Sequence, residues 1–149
     1  MPQLDDFEGR WRIARRIEDA WMGTTGLFEG VARLTRDGRG LSYTEVGELR
    51  LPKEAMMPAS RDYLWRAEPG GIAVLYADGR FFHRIKAGAD VVQDWHVCGT
   101  DEYDVTYNFT HWPAWRMIWK VRGPRKDYVS ISDFARVLPD KHRASVPRR

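Results

Sequence analysis

The residues best suited to chemistry lie close together in the stretch Asp94–Phe109, DWHVCGTDEYDVTYNF. It holds His96, the chain's single cysteine Cys98, the acids Asp94, Asp101 and Asp104, and the rings Trp95, Tyr103, Tyr107 and Phe109. A cysteine beside a histidine invites a nucleophile–base pair. On a strand, however, residues i and i+2 stand about 7 Å apart, which is loose for a direct hydrogen bond. A metal centre needs three or four ligands from separate elements. His83, His96 and Glu45 are candidates, but no HxH or CxxC spacing supports them. Of the other histidines, His111 sits in the turn-like HWP and His142 near the C-terminus.

The elements that must position these residues read as strands. Trp11, Ile13 and Ile17 alternate with polar neighbours, as do Tyr63, Trp65 and Ala67, then Tyr103, Val105, Tyr107 and Phe109, then Trp115, Met117, Trp119 and Val121. This period of two describes a sheet with one apolar and one solvated face. Asp37-Gly38 and Asp78-Gly79 predict type I′ hairpin turns, and further breaks fall near Met22–Thr25, Pro69-Gly71, Ala87–Ala89, Gly99–Asp101, His111–Pro113 and Gly123-Pro124. About ten strands follow, near 9–19, 26–36, 40–49, 61–68, 72–77, 80–86, 90–98, 102–110, 114–122 and 127–136. A meander of this length with one apolar face closes most simply into a barrel, which removes its exposed edges. The predicted fold is therefore all-β, an up-and-down antiparallel β-barrel of eight to ten strands. The longer link Leu51–Ser60 either forms one helical turn with Met56 and Met57 pointing inward or is a plain surface loop.

This pattern splits the opening cluster. Gly99-Thr100-Asp101 is a turn, so His96 and Cys98 belong to one strand while Tyr103 and Tyr107 belong to the next. His96 and Cys98 share one face of their strand, and Trp95 and Val97 share the other. Both faces mix polar and apolar groups, and the segment alone leaves open which one is interior.

Composition bounds the rest. The 149 residues suit one domain with a full core. Seven tryptophans and an aromatic share of 13% favour half-buried pleated surfaces and ligand pockets. The sequence pI of 9.2 comes from the stretch beyond Leu138, where Lys141, Arg143, Arg148 and Arg149 face Asp140 alone. Residues 1–137 are formally neutral and show no clustered Lys and Arg, which argues against a nucleic-acid partner. The expected layout is one barrel domain over 1–137 and a basic, flexible tail over 138–149. One cysteine excludes an intrachain disulfide framework, the acidic MPQLDDFEG start is unlike a signal peptide, and no segment has the length of a membrane span. A cytoplasmic, soluble protein is expected, with homodimerisation left open.

Residues 7–11, Phe-Glu-Gly-Arg-Trp, resemble the Gly-x-Trp opening of lipocalins and related calycins. The resemblance implies a short N-terminal turn closing one barrel end, with Leu4–Phe7 supplying the turn, Trp11 the ring and Arg136 a cation packed on it. Thr100-Asp101-Glu102-Tyr103 resembles the lipocalin Thr-Asp-Tyr motif with one residue inserted. That insertion and the ten strands are closer to the intracellular fatty-acid-binding-protein and nitrobindin types, the latter implying haem held by one His. With HVCGTDEY and GPRKDY, the whole chain is similar to an uncharacterised bacterial lipocalin-like family of unknown function.

The inward faces together outline an apolar wall with polar tips, as a small-molecule cavity requires. Arg15, the polar member of the Trp11–Ile13–Ile17 face, is the expected counter-charge for an acidic head group. Tyr43, Tyr103, Tyr107 and His83 would orient a ligand by hydrogen bonds, and Trp65, Trp115 and Trp119 would stack on it. Glu45, Tyr63, Tyr76 and His96 complete the expected wall, with Phe28 or Leu27, Phe81 and Tyr128 at compatible parity. The expected function is intracellular binding of a small hydrophobic or aromatic molecule with a polar or anionic group. The alternatives are haem binding or a small-molecule enzyme using His83 or His96, and a filled barrel acting as an interaction domain. No catalytic residue or metal ligand is nominated.

Overall fold

The computed structural model describes residues 1–138, and the tail predicted over 138–149 lies, but for Leu138, outside them. A 3-10 turn, Leu4–Phe7, leads into ten strands: β1 Gly9–Asp19, β2 Thr24–Arg36, β3 Leu41–Arg50, β4 Met57–Glu68, β5 Gly71–Tyr76, β6 Phe81–Lys86, β7 Val91–Cys98, β8 Asp101–Asn108, β9 Trp115–Gly123 and β10 Lys126–Arg136. They form one antiparallel sheet in the order β6-β5-β4-β3-β2-β1-β10-β9-β8-β7. Every strand but β6 and β7 is hydrogen-bonded on both sides, and the sheet curls into a nearly closed barrel. Where β6 meets β7, side chains replace the ladder. Asp94 accepts from the Arg84 backbone N–H at 2.7 Å, and the Phe82 and His96 rings meet at 5.7 Å.

The period of two read from the sequence is the period of burial. β1 buries Trp11, Ile13 and Arg15 between exposed neighbours, and β9 buries Trp115, Met117, Trp119 and Val121. One end is floored by rings. Phe7 packs edge-on against Trp65, Trp112 and Trp115 at centroid distances of 5.1, 5.0 and 5.5 Å. Trp11 and Arg136 are cross-strand partners, and the guanidinium lies 4.0 Å from the ring centroid. Arg136 also donates to the backbone oxygens of Asp6 and Glu8, both at 2.7 Å, tying the 3-10 turn across the floor. The turn, the ring and the cation stand as the calycin resemblance implies.

Two local expectations, the turn type and the facing of Phe81, are corrected, and two open alternatives are resolved. The Asp-Gly hairpins are not type I′, because positive φ is confined to Gly38 and Gly79. Asp37 and Asp78 instead keep negative φ and accept backbone N–H bonds from Arg39, Gly40 and Arg80. Leu51–Met56 forms no helical turn, and Met56 and Met57 are exposed, β4 starting at Met57. On β2 it is Phe28 that points inward, while Leu27 faces solvent. On β6 a register shift opposite Val74 and Leu75 breaks the alternation, so that Phe82 and His83 are both buried and Phe81 is exposed.

Candidate functional site

Side chains from β1, β3, β4 and β10 build a polar wall into the otherwise apolar barrel. Arg15 on β1 and Glu45 on β3 form a two-pronged pair, with Nη1 to Oε2 at 2.6 Å and Nη2 to Oε1 at 3.0 Å. Arg15 Nε donates to Ser132 Oγ at 2.6 Å, and Tyr43 OH donates to Glu45 Oε1 at 2.5 Å. Arg15 is 3% and Glu45 2% exposed. Burial alone would raise the Glu45 carboxyl, yet Arg15 and the Tyr43 hydroxyl hold it below its ordinary value. On β4, directly opposite Glu45, Arg61 places Nε 4.0 Å from Glu45 Oε2 and stacks its guanidinium 5.0 Å from the Trp119 ring centroid.

Deeper in, His83 Nε2 and Tyr107 OH are 2.8 Å apart, fully enclosed. Burial, helped by the nearby His96, lowers the His83 imidazole to about 3, so it is neutral. His83 Nδ1, Trp115 Nε1 and Trp119 Nε1 are buried without a hydrogen-bond partner. All three side chains line one internal cavity of about 10 Å³, with Tyr43, Glu45, Arg61, Tyr63, Trp65 and Tyr107 in the same wall. A second space of about 50 Å³ lies towards the mouth between Arg15, Ile17, Phe28, Glu45, Leu49 and Arg61. Larger hollows, about 750 and 540 Å³, are open depressions lined in part by charged side chains, among them Asp5, Asp90, Arg12 and Arg116.

The structure thus brings Tyr43, Glu45, Tyr63, Trp65, His83, Tyr107, Trp115 and Trp119 around one cavity. Tyr76 and Tyr103 stand beside Phe82, half-buried, at 4.7 and 5.2 Å between centroids. His96 and Cys98 take the inward face of β7, while Trp95 is 60% and Val97 45% exposed. His96 meets the Phe81 and Phe82 rings rather than a partner base or acid. Arg15 departs from its expected role: its donors are spent on Glu45 and Ser132, so it is not open to a ligand's acidic group. Arg61 and Ser132 were missed. Both carried a signal, since Arg61 shares the parity of Tyr63 and Trp65, and Ser132 that of Phe134.

Neither haem nor a metal fits these residues. His83 presents no open nitrogen to an iron, because Nε2 is held by Tyr107 OH and Nδ1 is wholly enclosed within the barrel. Among the described residues no three His, Cys, Asp or Glu side chains converge as a metal requires, so His83, His96 and Glu45 do not form a centre.

Residues 7–136 match a described protein family, one of unknown function (DUF6314). The chain belongs to this family. No curated protein matches the chain. Among solved structures it is similar to the S-type phycobiliprotein lyase CPES from Guillardia theta, at 10% identity, with 92% of each chain covered and a TM-score of 0.66. That likeness is one of fold alone. No helix of the described residues is long and apolar enough to cross a membrane.

A neutral buried histidine makes the DUF6314 barrel sensitive to acid. The unfolded chain protonates His83 near 6.5, whereas the folded protein resists until about 3. Below pH 6.5 the unfolded state therefore binds more protons, and stability falls as pH falls, by up to about 1.4 kcal/mol per unit. Between pH 6.5 and 4.5, above the range where Glu45 contributes, the expected loss is roughly 2–3 kcal/mol. Urea unfolding at several pH values checks this: the slope should flatten in His83→Gln, and an unchanged slope would assign the acid sensitivity elsewhere.

Proposed function

We propose that this protein binds, without covalent chemistry, a small hydrophobic or aromatic molecule carrying a polar or anionic group inside its barrel. One observation carries the reading. Three buried nitrogens, on His83, Trp115 and Trp119, have no partner, and all three side chains line one cavity. Native interiors pair almost all buried polar groups, and each one left unpaired costs about 1–3 kcal/mol. A ligand bearing acceptor atoms would satisfy the nitrogens, with its rings against Trp65, Trp115 and Trp119, once the wall opens beyond the roughly one-water space it now encloses. The likeness to a phycobiliprotein lyase supports the reading at the level of fold, since a barrel of this topology serves in a protein that acts on phycobiliproteins. The reading extends to a cytoplasmic protein, which fractionation of the native host tests.

Native mass spectrometry of the purified protein should find a bound small molecule. After its removal, N-phenyl-1-naphthylamine should bind saturably at one site per chain and quench tryptophan emission. No bound mass and no response to this probe or a wider hydrophobic panel would favour the filled interaction domain. A Soret band with haemin that His83→Ala abolishes would replace this reading with haem binding.

A further inference from the structure

We propose that Arg61 is both the ligand's counter-charge and a displaceable plug in the barrel mouth, so that the protein selects aromatic molecules bearing an anionic group. The inference rests on the ligand-binding reading above and assigns its charge preference to one residue.

Charge accounting in the wall comes first. Arg15 and Glu45 neutralise each other through two short bonds, and Arg15 Nε donates to Ser132, so each guanidinium nitrogen is engaged. Arg61 is then a surplus cation. It reaches Glu45 only at 4.0 Å, on an oxygen already held by Arg15 at 2.6 Å, and among the described residues it has no other carboxylate within ion-pair distance. A half-buried cation without its own anion favours an incoming one, because the partly desolvated site strengthens the attraction.

Position comes second. Arg61 and Glu45 are the two side chains shared by the inner cavity and the space towards the mouth. Glu45 is fixed by Arg15 and Tyr43, whereas Arg61 is 31% exposed and rests on the face of Trp119. Arg61 is therefore the element between the two spaces that can move. An anion at the mouth draws the guanidinium off Trp119. That movement joins the two spaces and uncovers the indole face for the ligand's ring. A neighbouring phenol suits the same guest. Tyr63 lines the inner cavity with Arg61, and the charge of Arg61 opposes the rise that burial imposes on its hydroxyl.

The test uses two probes that share one ring system, 1-anilinonaphthalene-8-sulfonate with its anion and N-phenyl-1-naphthylamine without it. In Arg61→Gln the sulfonate probe should bind at least tenfold more weakly, with the neutral probe changed less than twofold. Arg61→Lys, which keeps the charge, should recover part of the loss. Added salt should weaken the sulfonate probe in the wild type and not in Arg61→Gln. Equal weakening of both probes, or an unchanged sulfonate affinity in a variant with wild-type circular dichroism and melting temperature, overturns the assignment to Arg61. If neither probe binds the wild type, the ligand-binding reading fails first and the role of Arg61 falls with it.

Discussion

Replacing Glu45 with alanine should cost about 3–5 kcal/mol of folding free energy, the usual result of removing one partner from a buried ion pair. Arg15 would keep its charge at 3% exposure with only Ser132 as an acceptor, and the Tyr43 hydroxyl would lose its partner. The loss is read from the shift of the denaturant midpoint at constant slope. The double variant Arg15→Met/Glu45→Leu should recover most of it, because two apolar side chains of similar size avoid the desolvation that the pair must overcome. A deficit below about 1 kcal/mol for Glu45→Ala would mean that Arg15 is hydrated and the pair behaves as a surface one. The pair also sets an acid limit. Since the folded Glu45 carboxyl titrates below its ordinary value of 4.5, its contribution is complete above that value and disappears as pH falls through the lower folded one.

Trp11→Ala should be comparably damaging, at about 3–5 kcal/mol, for a different reason. Trp11 is fully buried, donates from Nε1 to the Phe7 carbonyl at 2.9 Å, and supports Arg136 on its face. Truncation leaves a void under the rings of Phe7, Trp112 and Trp115, and removes the surface on which Arg136 is held while it bonds the 3-10 turn. Trp11→Phe should cost less, about 1–3 kcal/mol, since it preserves a ring but strands the Phe7 carbonyl. Guanidinium unfolding followed by far-ultraviolet circular dichroism separates the two. Equal costs for the two variants would show that the hydrogen bond, not the packed volume, holds the floor.

Much of this architecture is legible in the sequence because burial in a barrel repeats every second residue. Trp11, Ile13 and Arg15 could be placed inside, and Arg136 paired with Trp11, from parity and the Gly-x-Trp pattern alone. Parity fails where the ladder slips. The shift opposite Val74 and Leu75 reverses Phe81 and Phe82, and nothing in FFHRIK announces it. The polar wall was half legible. Arg15 and Glu45 were both recognised as inward, yet that they would consume each other depends on β1 and β3 lying one strand apart, with the side chains of both reaching across β2. Consequently the free cation was sought on β1 when it stands on β4. The faces of β7 were undecided for want of contrast. They are resolved by the β6 edge, whose Phe81 and Phe82 rings receive His96.

The meeting of β6 and β7 gives this barrel an adjustable girth. In a fully hydrogen-bonded barrel, strand number and stagger fix the radius, and widening it means breaking a ladder. Here the circumference is fastened by the Asp94 carboxylate on the Arg84 amide, by Lys86 at 3.8 Å from Asp94, and by His96 against two phenyl rings. Letting out that clasp sacrifices no strand pairing, since β6 and β7 keep their partners on the other side. The floor, laced by Arg136 and packed with indoles, does not share this freedom. Room inside can therefore be gained like the opening of a tapered sleeve, from the mouth down, without unzipping a ladder.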